Sequence, residues 1–330
     1  MANTTSAYRS SIPGIIFMLI NTVCLTGLDA MSKILTADLP SNIVVFLYKF
    51  SLFVIILPWV FTKGMLVFKT KRLRYHFLRA VLSVLASICF FSGLKQVSMV
   101  DAAALENLQY LIITILGFVL FNEKFTASKL LAICTGMLGA FVVINPSLMN
   151  FNSSSFEHHS LNIGHLYIFM AMLFWALNTL TVKKLGITES NRTQMFYLLL
   201  FSSIVSASTT LFQWTGVGML PTFTDFSKFT VEAKHAKFIL VMATLYFIHG
   251  LAYFNALKYE LSVVVPFRYT KFIFSALCSY LIFAEVQQDP RVYMGYALIL
   301  LASFTMLGDE IKKRRARRLH TTAKPIPQAA

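Results

Sequence analysis

Charged side chains are scarce in this 330-residue chain, and their scarcity argues against an ordinary soluble domain. Only 13% of the residues are charged and 57% are hydrophobic, whereas soluble domains carry about 25% charged residues. Acidic residues are scarcer than basic ones: the chain contains 14 Asp and Glu and 29 Lys and Arg. This composition is typical of a protein that crosses a membrane several times.

Cysteines and familiar catalytic motifs are equally sparse. The four cysteines fall inside apolar segments without C-x-x-C or Cys/His spacing, which indicates neither a disulfide framework nor a zinc site. The chain contains no G-x-x-x-x-G-K-[ST], H-E-x-x-H or G-x-S-x-G sequence, so ATP-driven pumping and membrane hydrolysis lack their usual motifs. We therefore predict neither an enzyme, nor a cofactor, nor a bound metal.

Long apolar runs divide the chain into ten predicted membrane spans, because a hydrocarbon core of about 30 Å requires about 20 apolar residues per helix. The predicted limits are 13–35, 42–62, 77–97, 99–121, 127–146, 163–184, 194–214, 237–257, 261–283 and 291–308. The first run continues to Leu35 without a small-residue cleavage site, so we interpret it as a span and not as a removed signal peptide. The expected fold is an all-α, polytopic membrane protein.

The basic residues predict the orientation of this bundle. Most of the 29 Lys and Arg lie in the two tails and in the loops on the same side as the tails, which makes both termini cytoplasmic by the positive-inside rule. The net charge of +15 is then mainly an orientation signal. We interpret the basic run at 312–318 as an anchor to the anionic lipid leaflet and not as a nucleic-acid patch.

The two halves of the chain are weakly similar. Residues 93–123 align with 256–285, and 29–35 align with 179–185. Because each half holds an odd number of spans, the second half enters from the opposite side, as in the inverted repeats of secondary transporters. The predicted parts are a cytoplasmic tail (1–12), a first five-helix repeat (13–146), an external linker (147–162), a second repeat (163–308) and a basic cytoplasmic tail (309–330).

Charges inside the predicted spans are the strongest candidates for a functional site, because each costs at least about 2.5–3.5 kcal/mol near the bilayer centre. Glu106 and Arg268 occupy equivalent positions in the two aligned repeats, and Lys271 shares a helical face with Arg268. An inverted two-fold axis would bring Glu106 and Arg268 together in a polar substrate pocket. The alternative is that these two residues only pair with each other as a structural clamp.

Three further charges are predicted to form a gate or a charge pair. Asp29 and Lys33 are four residues apart near the end of the first span, where Asp29 can pair with Lys33 or contact a ligand. Lys49 lies midway along the second span, and pairing with an acid and contact with a ligand are both open. Arg79 and Asp101 lie near span ends and are interpreted as interfacial.

Aromatic and amide residues in the same spans could complete a binding site. Aromatic rings can stack on a planar heterocycle, and an amide inside a span needs a hydrogen-bond partner. Packing and helix–helix hydrogen bonding explain the same residues, and His249 is interpreted as a hydrogen-bonded core histidine. The candidate substrate-binding residues are Tyr110, Phe267, Tyr269, Trp175, Asn107 and Asn178, with Tyr48 and Tyr253 as further aromatics of the repeat interface.

These features together resemble the EamA-type drug/metabolite transporter superfamily. The resemblance covers about residues 13–308 and rests on ten spans in two inverted halves, on Lys33 and Lys183 near the ends of spans one and six, and on the F-N-E and F-A-E sequences at 121–123 and 283–285. It implies a multi-pass transporter of a bacterial inner membrane. Within the superfamily, substrates include amino acids, nucleotide sugars, drugs and other metabolites.

Three local sequences are similar to the S-adenosylmethionine uptake transporters of obligate intracellular bacteria. They are D-A-M-S-K-I-L at 29–35, P-F-R-Y at 266–269 and S-Y-L-I-F-A-E at 279–285, whereas Thr179 stands where that group has an acidic residue. The resemblance implies import of S-adenosylmethionine, with S-adenosylhomocysteine as the exchanged product. An amino-acid or drug exporter and a non-transporting scaffold or receptor stay open as alternatives, and neither the driving ion nor the oligomeric state is predicted.

The candidate residues offer a partner for each group of S-adenosylmethionine. Arg268 can bind the carboxylate through two parallel hydrogen bonds, and Glu106 or Asp29 can neutralise the ammonium or the sulfonium. Aromatic rings such as those of Tyr269 and Tyr110 can stack on adenine or contact the sulfonium. A neutral amino acid would need Arg268 and Glu106 alone, so this fit is compatible with several substrates.

Overall fold

A computed structural model of the chain describes most of the predicted spans. It covers residues 12–62, 69–121, 127–144, 162–185, 189–214, 232–256, 267–268, 270–285, 289–302, 304–305 and 308. The helices of this part are, in chain order, α1 (Ile12–Asp38), α2 (Ser41–Phe61), α3 (Leu73–Leu94), α4 (Met99–Glu106), α5 (Leu108–Phe121), α6 (Ala127–Ile144), α7 (Ile163–Leu185), α8 (Asn191–Trp214), α9 (Ala233–Ala256), α10 (Thr270–Phe283) and α11 (Pro290–Ala302).

The all-helical prediction is confirmed, since no β-strand occurs in the residues given above. Six helices, namely α1, α2, α3, α7, α8 and α9, contain windows that are long and apolar enough to cross a membrane. The chain is therefore a multi-pass membrane protein. The count of ten spans and the cytoplasmic position of both termini stay predictions, and the basic tail 309–330 lies outside the described residues.

Two of the predicted spans are not continuous helices. The fourth, 99–121, is divided into α4 and α5 at Asn107, whose side-chain Nδ2 donates to the carbonyl oxygen of Ala103 at 3.0 Å. An amide that bonds to nearby backbone in this way favours a helix end over a helix interior. In the ninth, 261–283, a short 3₁₀ turn at 267–268 precedes α10, which begins at Thr270. Glu106 is therefore the last residue of α4, and Lys271 is the second residue of α10.

The helices of the two halves pack against each other in a reciprocal pattern. α1 packs on α9 and α3 on α7, while α2 packs on α8. α2 also contacts α9, and the equivalent contact in the other half is that of α3 with α8. In the same way, the contact of α1 with α10 is equivalent to the contact of α4 and α5 with α7. Each contact is exchanged for its counterpart when α1, α2 and α3 are matched with α7, α8 and α9. The central helices therefore surround a space to which both halves contribute.

Two glycines allow α6 and α11 to touch through their backbones. A Cβ atom added to Gly139 would lie 2.8 Å from the carbonyl oxygen of Gly295, and a Cβ atom added to Gly295 would lie 2.8 Å from the carbonyl oxygen of Gly139. Such close approach of small residues is a common way to join helices in lipid, where the hydrophobic effect does not drive helix association.

We expect Gly295→Ala to destabilise the bundle by about 1–3 kcal/mol, because overpacking forces backbone to move. The matched control is Gly308→Ala, since a Cβ atom at Gly308 meets nothing within 4 Å. Both changes replace a helical glycine by alanine, so the comparison tests the clash. Thermal unfolding of the purified protein in detergent measures the effect, and equal melting temperatures for the two variants would contradict the predicted contact.

Candidate functional site

A cavity of about 420 Å³ lies between helices of both halves. Its volume is within the range of about 300–1,000 Å³ that is usual for small-molecule sites. Side chains from α1, α2, α3, α4, α5, α7, α8, α9 and α10 line it, together with Arg268. A recess of about 40 Å³ adjoins it and includes Ala103, Asn107 and Phe272 in its wall. The cavity is the candidate site.

Three charged residues from three helices meet in the cavity wall. Lys271, at the start of α10, donates to Glu106 Oε2 at the end of α4, and its Nζ lies 2.8 Å from Asp29 Oδ2 on α1. The side chains of Asp29, Glu106 and Lys271 are only 13%, 16% and 11% exposed. We call this group the Lys271 triad. Its two carboxylates and single ammonium place a cation-attracting surface inside the cavity.

Glu106 and Arg268 line the same cavity and the same recess, whereas Asp29 does not have the partner that local spacing suggests. Glu106 contacts Lys271, whereas the Arg268 guanidinium carbon lies 5.6 Å from the ring centroid of Tyr253 in the wall of the same cavity. The expected pairing of Asp29 with Lys33 is wrong, because Asp29 pairs with Lys271. The reason is tertiary: α10 brings Lys271 to within hydrogen-bond distance of both acids.

Lys33 takes part in a second charged network at the ends of several helices. Its Nζ donates to Glu285 and, at 2.6 Å, to the carbonyl oxygen of Val97 just beyond α3. Glu285 also accepts hydrogen bonds from Ser279 Oγ at 2.7 Å and from the backbone nitrogen of Met99 at 3.2 Å. A carboxylate at the N-terminus of α4 is favourable because the helix dipole is positive there. The Lys33–Glu285 network thus joins both halves of the chain.

Lys49 does not pair with an acid among the described residues, so that alternative is wrong. Its side chain is buried, with 2% of the residue exposed, and its Nζ donates to Ser83 Oγ on α3 at 3.0 Å. Arg79 lines the cavity, and its position at the membrane interface stays a prediction. Its Nη1 donates to the backbone carbonyl and to the Oε1 of Gln194, at 3.3 Å each.

Asp101, which the sequence places near a span end, is buried within the bundle. It is only 7% exposed and accepts hydrogen bonds from Ser98 Oγ and from the phenolic hydroxyl of Tyr296 on α11, both at 2.7 Å. These hydrogen bonds allow the carboxylate to be buried because they replace the water that it loses. Asp101 therefore fastens α4 to α11 and does not line the cavity.

The predicted aromatic and amide residues divide into four groups. Trp175 and Asn178 line the cavity; the Trp175 ring lies 5.0 Å from that of Phe90, and Asn178 Oδ1 has no hydrogen-bond partner in the described part of the chain. Asn107 lines the smaller recess. Phe267 packs with Met18 and Ala256 in a separate apolar cluster. Tyr269 and the side chain of Tyr110 lie outside the described residues.

Several cavity residues were not predicted from the sequence. They are Ser83 and Ser87 on α3, Gln109 on α5 and Tyr246 on α9. The sequence contains a pattern that could have identified Ser83 and Ser87. Arg79, Ser83 and Ser87 are spaced four residues apart and therefore form a polar stripe along one face of a helix. His249 has its predicted hydrogen bond, with Nδ1 lying 2.6 Å from Asn21 Nδ2, but it also lines the cavity.

We expect Lys271→Gln to destabilise the protein by about 3–5 kcal/mol, because it leaves two buried carboxylates without their cation. Glu106→Gln should cost less, since Lys271 keeps its contact with Asp29. Thermal unfolding in detergent, compared with the unchanged chain, gives the ranking. A larger loss for Glu106→Gln than for Lys271→Gln would show that Lys271 is not the centre of the triad.

Comparison with protein families gives a match to the first half of the chain. The family model described as the EamA-like transporter family matches residues 12–145, which include α1 to α6. The resemblance to EamA-type transporters noted in the sequence is confirmed by this match.

Curated relatives are similar over nearly the whole length. The S-adenosylmethionine uptake transporter of Rickettsia prowazekii (strain Madrid E) is 24% identical over 311 residues, which is 94% of this chain and 98% of that protein. Its counterpart from Rickettsia felis (strain ATCC VR-1525 / URRWXCal2) is 25% identical over 312 residues, with the same coverage. The riboflavin transporter of Vibrio cholerae serotype O1 is 27% identical over 307 residues, or 92% of this chain and 93% of that protein.

One solved crystal structure has a similar fold. It superposes with a TM-score of 0.53 at 14% sequence identity and covers 92% of this chain and 98% of the other. The likeness extends across both halves of the chain and concerns the fold alone.

Proposed function

We propose that this chain, whose residues 12–145 belong to the EamA-like transporter family, is a secondary transporter that imports S-adenosylmethionine across the plasma membrane. The observation that carries the proposal is the cavity of about 420 Å³ between the halves, with the Lys271 triad in its wall. Buried charges in a membrane protein mark solute pathways because they are costly elsewhere. The similarity to Rickettsia transporters of the same named activity supports the choice of substrate.

The cavity offers groups that suit each part of this substrate. Asp29 and Glu106 can attract its ammonium and sulfonium, since two carboxylates share one lysine. Trp175 and Tyr253 present rings for adenine, and Asn178 Oδ1 is an unpaired acceptor for its amino group. Arg268 is the residue that sequence reasoning proposes for the carboxylate, and it lies in the same wall.

Alternating access of two inverted five-helix repeats, 13–146 and 163–308, is the proposed mechanism. It is supported by the reciprocal packing of α1–α3 against α7–α9, which a two-fold relation between the repeats would produce. It is also supported by the interrupted helices, because discontinuous helices near the centre of the fold are typical of substrate sites in such transporters. Exchange against S-adenosylhomocysteine would fit the same cavity.

The Lys33–Glu285 network is the proposed gate at one end of the cavity. It joins α1 and the α3–α4 connection of the first repeat to the residue that follows α10 in the second. Rocking one repeat against the other would have to break this ion pair. Lys33 therefore holds a closed state, while Asp29 takes part in the binding surface.

A flavin importer is the second candidate function. The cavity wall carries four basic residues, Lys49, Arg79, Arg268 and Lys271, against the acids Asp29 and Glu106. This positive excess disfavours a cationic substrate relative to a neutral flavin, and the riboflavin transporter of Vibrio cholerae is a relative of similar length. An amino-acid or drug exporter and a non-transporting scaffold or receptor are the remaining alternatives.

Uptake of radiolabelled S-adenosylmethionine by a heterologous bacterium that expresses the chain tests the proposal. We expect time-dependent accumulation that unlabelled S-adenosylhomocysteine suppresses and free methionine does not. Lys271→Gln should reduce uptake at least about tenfold, because it removes the centre of the triad. The matched control is Lys234→Gln, since Lys234 is 54% exposed and pairs with Asp38 at the surface; its uptake should equal that of the unchanged chain.

Each contrary result has a defined meaning. Accumulation of riboflavin without accumulation of S-adenosylmethionine would select the flavin importer. Equal suppression by methionine would point to an amino-acid carrier. Normal uptake by a well-expressed Lys271→Gln variant would remove the triad from the site. Absence of uptake for every probe, in cells that contain the folded protein, would favour a scaffold or receptor.

A further inference from the structure

Two cations in the cavity wall, Lys49 and Arg79, have no acidic partner among the residues that the structure describes. Within the described residues, neither Lys49 nor Arg79 forms an ion pair with a carboxylate, whereas Lys271 has two and Lys33 has Glu285. Lys49 is 2% exposed and donates only to the neutral Ser83 hydroxyl. Its ammonium also lies 5.2 Å from the Tyr48 ring centroid.

Arg79 is incompletely bonded as well. Its Nη1 donates to Gln194 through two contacts of 3.3 Å, but its buried Nε has no hydrogen-bond partner in the part of the chain that the structure describes. A guanidinium group with an unused donor in a cavity wall can still accept a planar anion, which it binds through two parallel hydrogen bonds. Both cations therefore have capacity for a ligand.

Neighbouring hydroxyl groups extend this cationic surface. Arg79, Ser83 and Ser87 follow one another at successive turns of α3 and line the cavity. From α2, Lys49 bonds to Ser83 and the Tyr48 hydroxyl lies 3.1 Å from Ser87 Oγ. The donors of α2 and α3 thus contact one another, whereas the Lys271 triad is formed by α1, α4 and α10.

Lys49 is buried without a carboxylate to balance its charge among the described residues. A buried cation without a counter-charge is unfavourable in a membrane protein, and the packing of Lys49 against Ser83 supplies no negative charge. An anionic group in the cavity would provide it. The Lys271 triad does not need such a group, because its ammonium is already matched by two carboxylates.

We propose that Lys49 and Arg79, with Ser83 between them, form the subsite that binds the carboxylate of the transported solute. This inference rests on the proposed transport function and deepens it, because it defines the substrate class as molecules that carry a carboxylate together with a cationic group. The cationic group lies toward the Lys271 triad and the carboxylate toward α2 and α3. The subsite differs from the expected one, in which Arg268 binds the carboxylate.

The test compares two ligands that differ only in the proposed group. Binding of S-adenosylmethionine and of its decarboxylated analogue is measured on the purified full-length chain in lipid nanodiscs. We expect the unchanged chain to bind S-adenosylmethionine at least about tenfold more tightly than the analogue. Lys49→Met should weaken binding of S-adenosylmethionine about tenfold and leave binding of the analogue unchanged, and Arg79→Gln should act in the same direction.

Two controls separate this role from a structural one. Lys234→Met makes the same replacement at an exposed site and should leave both affinities unchanged. Without ligand, Lys49→Met should unfold at the same or a higher temperature than the unchanged chain, since it removes an uncompensated buried charge. A lower melting temperature together with equal loss of affinity for both ligands would overturn the proposal.

Failure of the subsite and failure of the proposed function give different results. If S-adenosylmethionine binds and Lys49→Met weakens the binding of both ligands equally, the proposed carboxylate subsite is wrong, whereas the proposed transport function is not contradicted. If neither of these two ligands binds, riboflavin and flavin mononucleotide are compared in the same assay. The unchanged chain could bind flavin mononucleotide more tightly than riboflavin, while Lys49→Met binds the two equally. That result would show that the subsite binds a phosphate and not a carboxylate. Absence of any Lys49-dependent preference would overturn the subsite altogether.

Discussion

The ammonium of Lys271 lies between two carboxylates that come from helices of the other half of the chain, and the organisation of the cavity depends on this contact. Each of the three charges alone would be costly in a bilayer. Together they are tolerated because Asp29 and Glu106 both lie within ion-pair distance of Lys271. The contact joins α1 to the end of α4 and the start of α10. It therefore holds helices of both halves together in the cavity wall.

The charges of the cavity are used in three different ways. The Lys271 triad is internally paired, the Lys33–Glu285 pair links the halves beyond the cavity, and Lys49 and Arg79 have no acidic partner in the described residues. In the proposed transport cycle, the Lys271 triad would hold a conformation and the Lys33–Glu285 pair would break when the repeats move. Lys49 and Arg79 would bind the anionic group of the solute.

Much of the fold and part of the site could be predicted from the sequence. Helix positions follow from apolar length, and the cost of charge in lipid marks Asp29, Glu106 and Lys271 as unusual. The pairing of these charges could not be predicted, because local spacing suggests Asp29 with Lys33 whereas the packing of α10 brings Lys271 between the acids. The position of Arg79 in the cavity wall could not be predicted either. Its place near a span end does not indicate which face of α3 lines a cavity.

Composition and hydropathy alone indicate a membrane protein. Backbone groups without hydrogen bonds are very unfavourable in lipid, and in the described residues helices provide these hydrogen bonds. Composition and hydropathy also identify intramembrane charge as the place to look for function. Tertiary packing alone decided which acid meets which base, and which cations have no acidic partner among the described residues. The physical reason is that a long side chain can reach several neighbours, and only the positions of the surrounding helices select one of them.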